Sequence, residues 1–229
     1  MIPLKDTIPS FSRPVITLTF IALNVGAFIY ELTLGNTELM VFFYNYGFVP
    51  ARYTIEAVKN SGVFLTSPIV PLFTSMFLHG GWTHLIGNVW SLWLFGDNVE
   101  DKMGKFNFIA FYILSGIAAT AIHFLFNPRS TVPTIGASGA ISGIMGAYFA
   151  FFPYSRIITL VPLFFIPFLI EIPAVIYLGI WFLSQFFSGT FQLIAGGGYG
   201  GVAWWAHVGG FIFGMLVGRF FVRREYRYF

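Results

Sequence analysis

The run from Pro14 to Leu34 holds 21 residues with one charged side chain, Glu31, and five further apolar stretches follow it along the chain. About 20 such residues in a helix cross the ~30 Å hydrocarbon layer of a bilayer, and only helices or closed barrels satisfy their backbone polar groups there. The further stretches lie near residues 82–96, 106–126, 135–152, 173–188 and 204–222. Charged residues make up 9% of the chain against roughly 25% in soluble domains, and hydrophobic residues 57%. The expectation is an all-α polytopic membrane protein of six transmembrane helices, folded as one domain over residues 1–229. Pro14 to Leu34 is too long for a signal-peptide core and has no small-residue cleavage site, so it reads as a retained first span.

The connections differ in character. Gly35 to Thr83 mixes apolar and charged residues with Pro50, Pro68 and Pro71, which predicts a partly folded loop at the interface. Ile157 to Ile172 is apolar but interrupted by Pro162 and Pro167, and is read as a loop dipping into the interface, with Pro173 placed to start the next helix. Gly196-Gly197-Gly198-Tyr199-Gly200-Gly201 has little to hold it rigid and is read as a mobile cap before the sixth span.

Alternate chain ends carry very different numbers of cations. Lys5, Arg13, Lys102, Lys105, Arg156, Arg219, Arg223, Arg224 and Arg227 fall on one side and Arg52, Lys59 and Arg129 on the other, nine against three, which places both termini in the cytoplasm. The same cations account for the net charge of +3, and they form no basic stripe, so nucleic-acid binding has no support. With no cysteine there are no disulfides, thiol nucleophiles or thiolate metal sites. The short N-terminal region favours a prokaryotic cell membrane over an organelle, and nothing in the sequence sets an oligomeric state.

Spans two, four and six then begin on the external side, and each has polar residues near its start: His84 and Asn88, Ser138, and His207. Polar groups are expensive inside a membrane, so each implies a function. At ~1.5 Å rise per residue they lie at one shallow depth. A serine hydroxyl becomes a nucleophile when a neighbouring base takes its proton, and imidazole suits that task at neutral pH. Ser138 and His207 are therefore the candidate nucleophile and base. Small residues permit their helices to approach: Gly139, Gly143 and Gly146 on one, Gly210, Gly214 and Gly218 on the other. No carboxylate falls in the same layer: Glu31 is near the outer end of the first span, Glu171 at the cytoplasmic entry to the fifth, and Asp97, Glu100 and Asp101 on the cytoplasmic side. That leaves a Ser-His dyad. His84 and Asn88, four apart, share a helix face and supply donors for an oxyanion, together with the Ser138 N–H and the positive end of its helix. His79 reads as a loop-fixing hydrogen bonder, His123 is assigned no function, and Trp82, Trp90, Trp93, Trp204 and Trp205 read mostly as interfacial anchors.

His84-Leu85-Ile86-Gly87-Asn88, Gly136-Ala137-Ser138-Gly139 and Ala206-His207-x-x-Gly210-x-x-x-Gly214 together resemble the rhomboid intramembrane serine proteases in order, spacing and span number. The resemblance implies a six-helix bundle of rhomboid type and a serine endopeptidase that cleaves transmembrane protein substrates within the lipid bilayer, near small, helix-destabilising positions. It implies Ser138 as nucleophile, His207 as general base, His84 and Asn88 around the oxyanion, and no metal or nucleotide cofactor. It also casts the fifth span, short and aromatic at Trp181, Phe182, Phe186 and Phe187, as a lateral gate for substrate. Two departures stand out: Ser142 stands where rhomboids often stack an aromatic ring on the histidine, and Val70-Pro71 stands where many carry a Trp-Arg pair. Other readings are a zinc enzyme using His79, His84 and His207, for which His-Glu-x-x-His is absent; a channel or transporter, for which inverted repeats are absent; and an inactive rhomboid-like protein that binds transmembrane clients.

Overall fold

Six apolar stretches with polar ends demand partners for their terminal backbone groups as much as for their side chains, and the structure, a computed structural model, shows where both are found. It describes residues 2–163, 166–195 and 202–223. The glycine-rich run 196–201, read as a cap, lies outside the described residues, as do Arg224 and Arg227. The principal helices are α1 (Val15–Leu32), α2 (Asn36–Tyr46), α3 (Trp82–Met103), α4 (Lys105–Phe126), α5 (Ser138–Phe151), α6 (Ala174–Ile194) and α7 (Trp204–Val217). A helix stands at each of the six expected places. Three of them, α1, α4 and α6, are long and apolar enough to cross a membrane. α3 runs past its expected end to Met103 but carries Asp97, Glu100, Asp101 and Lys102 there. α5 and α7 have 14 residues each, ~21 Å of helix against a ~30 Å hydrocarbon layer.

The short α5 sits at the centre. Every residue from Gly139 to Tyr148 is buried, which is why it reads as apolar on all faces. Around it pack Leu92, Phe95 and Val99 of α3, Phe108, Phe111 and Tyr112 of α4, Leu178 of α6 and Phe211 of α7. Its first residue, Ser138, is half-buried where these helices meet.

Helix ends are satisfied across the bundle. Pro14 precedes α1 and offers no side-chain cap, and the free N–H groups of Ile16 and Thr17 donate instead to the Glu100 carboxylate at 3.0 and 2.8 Å. The Thr17 hydroxyl donates to it as well, while Ser12 donates to Asp101 at 2.5 Å. Carboxylates at a helix N-terminus pair with both orphan donors and the positive dipole end. Glu100 and Asp101 are thus buried for a structural reason.

The all-α expectation needs correcting. Residues 157–172, read as an interfacial loop, form two antiparallel strands, β2 (Arg156–Leu163) and β3 (Ile166–Pro173), and the N-terminal β1 (Ile2–Asp6) joins on the other edge of β2. The β-branched series Ile157, Ile158, Thr159 and Val161 suits a pleated surface, and burial alternates, with Ile157 and Thr159 fully enclosed. The two prolines that argued for a loop face one another in the register, Pro162 opposite Pro167, near the far end of the pair. The sheet lies at the C-terminal end of α5, away from Ser138.

Asp6 closes β1 against this end of the bundle. The Tyr148 hydroxyl donates to its Oδ2 at 2.5 Å and the Asn98 amide at 2.9 Å. Burial pushes the Asp6 carboxyl up from 3.8 to about 6; the Tyr148 hydroxyl opposes this and the neighbouring Asp97 adds to it. A carboxyl raised in the folded state contributes stability fully below its unfolded value and loses it as pH rises through the folded one. The melting temperature of purified protein is therefore expected to fall between pH 3.8 and about 6, and Asp6→Asn to remove part of that fall. Identical slopes for the two proteins in this window would refute the assignment.

The first connection is partly folded, as expected. Besides α2 it forms short helical turns at Ala51–Thr54, Glu56–Lys59 and Pro71–Thr74. In place of a Trp-Arg pair, Asn45 and Arg52 anchor it: the Asn45 side chain donates to Val63 O at 3.2 Å and accepts from Leu65 N, and Arg52 donates to Thr66 O with its guanidinium 4.4 Å from the Phe64 ring centroid.

Candidate active site

The site is built where α5 and α7 touch. A Cβ at Gly210 would overlap the Gly139 carbonyl oxygen, one at Gly214 the Gly143 carbonyl oxygen, and one at Gly146 the Phe211 carbonyl oxygen. Helices this close hold their side chains at short reach. Across the contact, Ser138 Oγ and His207 Nε2 are 2.8 Å apart, a hydrogen bond between a half-buried hydroxyl and a buried imidazole.

His84, at the start of α3, faces the same space. The Gly80 N–H lies 3.4 Å from its Nδ1, which leaves the ring hydrogen on Nε2. Gly136 has φ +126°, a left-handed conformation natural to glycine, and a Cβ built there would lie 2.5 Å from His84 Nε2 and 3.6 Å from Ser138 Oγ. Imidazole N–H and hydroxyl therefore border one small volume that only the missing side chain of Gly136 keeps open.

Asn88 is buried one helical turn further along α3, and its amide donates to His79 Nε2 at 3.0 Å. His79 in turn donates from Nδ1 to Phe77 O at 3.2 Å, and its backbone N–H donates to Glu31. The loop-fixing reading of His79 matches these bonds. Its Nε2 is engaged with Asn88, and among the described residues no three His, Asp or Glu side chains are grouped to hold a metal. Glu31 serves this backbone and does not reach the imidazole of His207. His123 bonds Thr134 Oγ1 at 3.1 Å and so ties α4 to the loop leading to Ser138.

One residue and one helix differ from their sequence reading. Trp205 is buried, its ring stacked on Phe126 with centroids 3.7 Å apart, and it packs over Gly189 of α6 rather than anchoring at an interface. α6 is not short: it continues past residue 188 to Ile194, 21 residues in all. Sequence reasoning also missed Gln185. Its side chain, one of the few buried positions on α6, meets His207 Nδ1 through Oε1 at 2.7 Å. A buried amide in an apolar helix is the signal that was available.

The arrangement offers a hydroxyl, a base in contact with it and hydrogen-bond donors at a helix N-terminus, the parts needed for acyl transfer. A family model described as the rhomboid domain matches residues 67–224. The chain is 33% identical over 138 residues to the rhomboid protease GluP of Bacillus subtilis, covering 59% of this chain and 24% of that protein. It is 30% identical over 161 residues to the mitochondrial rhomboid protein 1 of Saccharomyces cerevisiae, covering 68% of this chain and 42% of that one. With the chloroplastic rhomboid-like protein 11 of Arabidopsis thaliana it shares 38% identity over 93 residues, 40% of this chain and 33% of the other. The chain thus spans between about a quarter and two-fifths of the length of these curated relatives. The matched region takes in Ser138, His207, His84 and Asn88 together with the helices that carry them, and by this match the chain belongs to the rhomboid family.

Proposed function

We propose that this protein is an intramembrane serine endopeptidase that cleaves transmembrane proteins with Ser138 as nucleophile and His207 as general base. The observation that carries the reading is the 2.8 Å hydrogen bond from Ser138 Oγ to His207 Nε2 between two helices in backbone contact. Ser138 Oγ attacks the scissile carbonyl while its proton passes to His207 Nε2. The oxygen of the tetrahedral intermediate is stabilised by the Ser138 N–H, the His84 Nε2–H and the Asn88 amide. Protonated His207 then donates to the leaving amine, and the same base draws a proton from the water that hydrolyses the acyl-enzyme. No metal or nucleotide enters these steps.

Substrate access falls to α6. Ala174, Leu178, Gln185 and Gly189 are its only buried positions, one thin stripe, while Phe187 and Phe191 face outward, so this helix is the most easily displaced side of the site; it moves aside to admit substrate and returns to its packed position before the chemistry. A transmembrane segment unwinding beside α6 presents an extended carbonyl to Ser138, which favours small, helix-destabilising sequences at the cut.

All six helices cross the membrane in this reading, the termini are cytoplasmic and the site opens on the outer side of a cell membrane. A reporter enzyme active only in the cytoplasm, fused to the C-terminus, is expected to be active; an inactive fusion of a stably inserted protein would reverse the orientation. For the chemistry, a fluorophosphonate probe is expected to label the purified protein at Ser138, and cleavage of a model transmembrane substrate in liposomes is expected to continue in chelator. A folded, unlabelled and inactive protein would favour the client-binding alternative.

A further inference from the structure

The Ser-His reading leaves open what holds the imidazole. With Ser142 donating to the Ser138 carbonyl at 2.6 Å, no ring stacks on His207 from α5, and the Trp181 and Trp204 rings stand 6.0 and 6.2 Å away by their centroids. The contact at hydrogen-bond distance on Nδ1 is Gln185 Oε1 at 2.7 Å.

The direction of that bond follows from its neighbours. The Ser184 hydroxyl donates to Trp181 O at 2.6 Å, so its oxygen is left to accept. Gln185 Nε2 donates to it at 2.8 Å, which turns the amide nitrogen towards Ser184 and the amide oxygen towards His207. An amide oxygen can only accept, so Nδ1 must carry the hydrogen. The neutral ring then has its lone pair on Nε2, facing the Ser138 hydroxyl. The opposite amide orientation would leave Nε2 protonated and unable to take the serine proton.

We propose that Gln185 is a positioning residue that holds His207 in the tautomer and orientation required of a general base, so that the site is assembled from three helices, α5, α6 and α7. The inference rests on the Ser138–His207 reading. As the imidazole gains a proton, Nδ1–H becomes a stronger donor and the Gln185 oxygen a better-matched partner, so the bond tightens when the transition state forms. A dipole replaces the carboxylate that serves this purpose elsewhere. The cost of burying an amide on an otherwise apolar helix is offset by this pairing.

The test compares wild type, Ser138→Ala, Gln185→Met and Gln185→Glu in liposomes, by cleavage of a transmembrane substrate and by the rate of fluorophosphonate labelling at Ser138. Methionine keeps the length and removes the acceptor; glutamate keeps an acceptor at the same reach. Gln185→Met is expected to lower kcat and the labelling rate about 10- to 100-fold with KM little changed, and Gln185→Glu to restore most of both. If cleavage falls but labelling does not, Gln185 acts in substrate docking and the proposal is wrong. Equal rates for the Met and Glu variants would likewise overturn it, and if the Met variant does not fold, a Glu variant that folds but shows no labelling at Ser138 would do so. Wild-type cleavage by Ser138→Ala would instead remove the dyad on which the inference stands.

Discussion

Ser138→Ala and His207→Ala are each expected to lower substrate cleavage by about 10⁴-fold or more, and the double variant no further than the weaker single one. The reason is that hydroxyl and imidazole act as one unit through their 2.8 Å hydrogen bond: without the base the hydroxyl is a poor nucleophile, and without the hydroxyl the base has no proton to take. Residual activity would come from the donors around the oxyanion. Ser138→Ala should leave the protein folded, since Ser138 is half-buried and lies at a helix end where alanine fits. Single-turnover cleavage with thermal melts of each variant provides the check, and additive losses would contradict a coupled dyad.

Gly214→Ala is expected to be the most damaging single-methyl change away from the reacting groups. Its Cβ would overlap the Gly143 carbonyl oxygen, backbone of a central helix enclosed on every side. Neither helix can yield without disturbing the rest of the core, and overpacking of this kind costs roughly 1–3 kcal/mol. Separation of α5 from α7 also lengthens the Ser138–His207 bond, and a displacement of ~1 Å in a catalytic group can cost about 10²-fold in rate. Gly26 on α1 is the control, because a Cβ there meets nothing within 4 Å. Gly26→Ala should be neutral or stabilise by up to ~1 kcal/mol through helix propensity. Thermal denaturation and cleavage measured together decide the matter; equal melting temperatures for the two variants would mean the α5–α7 contact tolerates a methyl group.

Residues that violate their surroundings were the readable ones. His84, Asn88, Ser138 and His207 are polar in apolar runs, and membrane burial makes such residues costly enough to stand out without a structure. Glycines at four-residue spacing on two helices announced a close contact for the same kind of reason, since one face repeats every turn. Gln185 carried the same signal as the histidines but belongs to no local motif: its partner, 22 positions on, is found only when α6 lies beside α7. The β2–β3 pair was hidden by Pro162 and Pro167, because a proline inside an apolar run is ambiguous until its partner strand shows that its missing N–H is not needed. The joining of β1, about 150 residues from β2, could not be read locally at all.

The sequence alone determined that the chain is built of apolar helices and which polar side chains those helices must account for, because hydropathy and period are local properties summed along the chain. Only the tertiary structure decided that α5 is the enclosed centre, that Glu100 caps the start of α1 while Asp101 holds the segment before it, that the N-terminus completes a sheet, and which atom meets each nitrogen of His207. Those are pairings between residues distant in sequence. They are selected by the requirement that every buried polar group find a partner, a condition that holds for the packed molecule and for no segment taken singly.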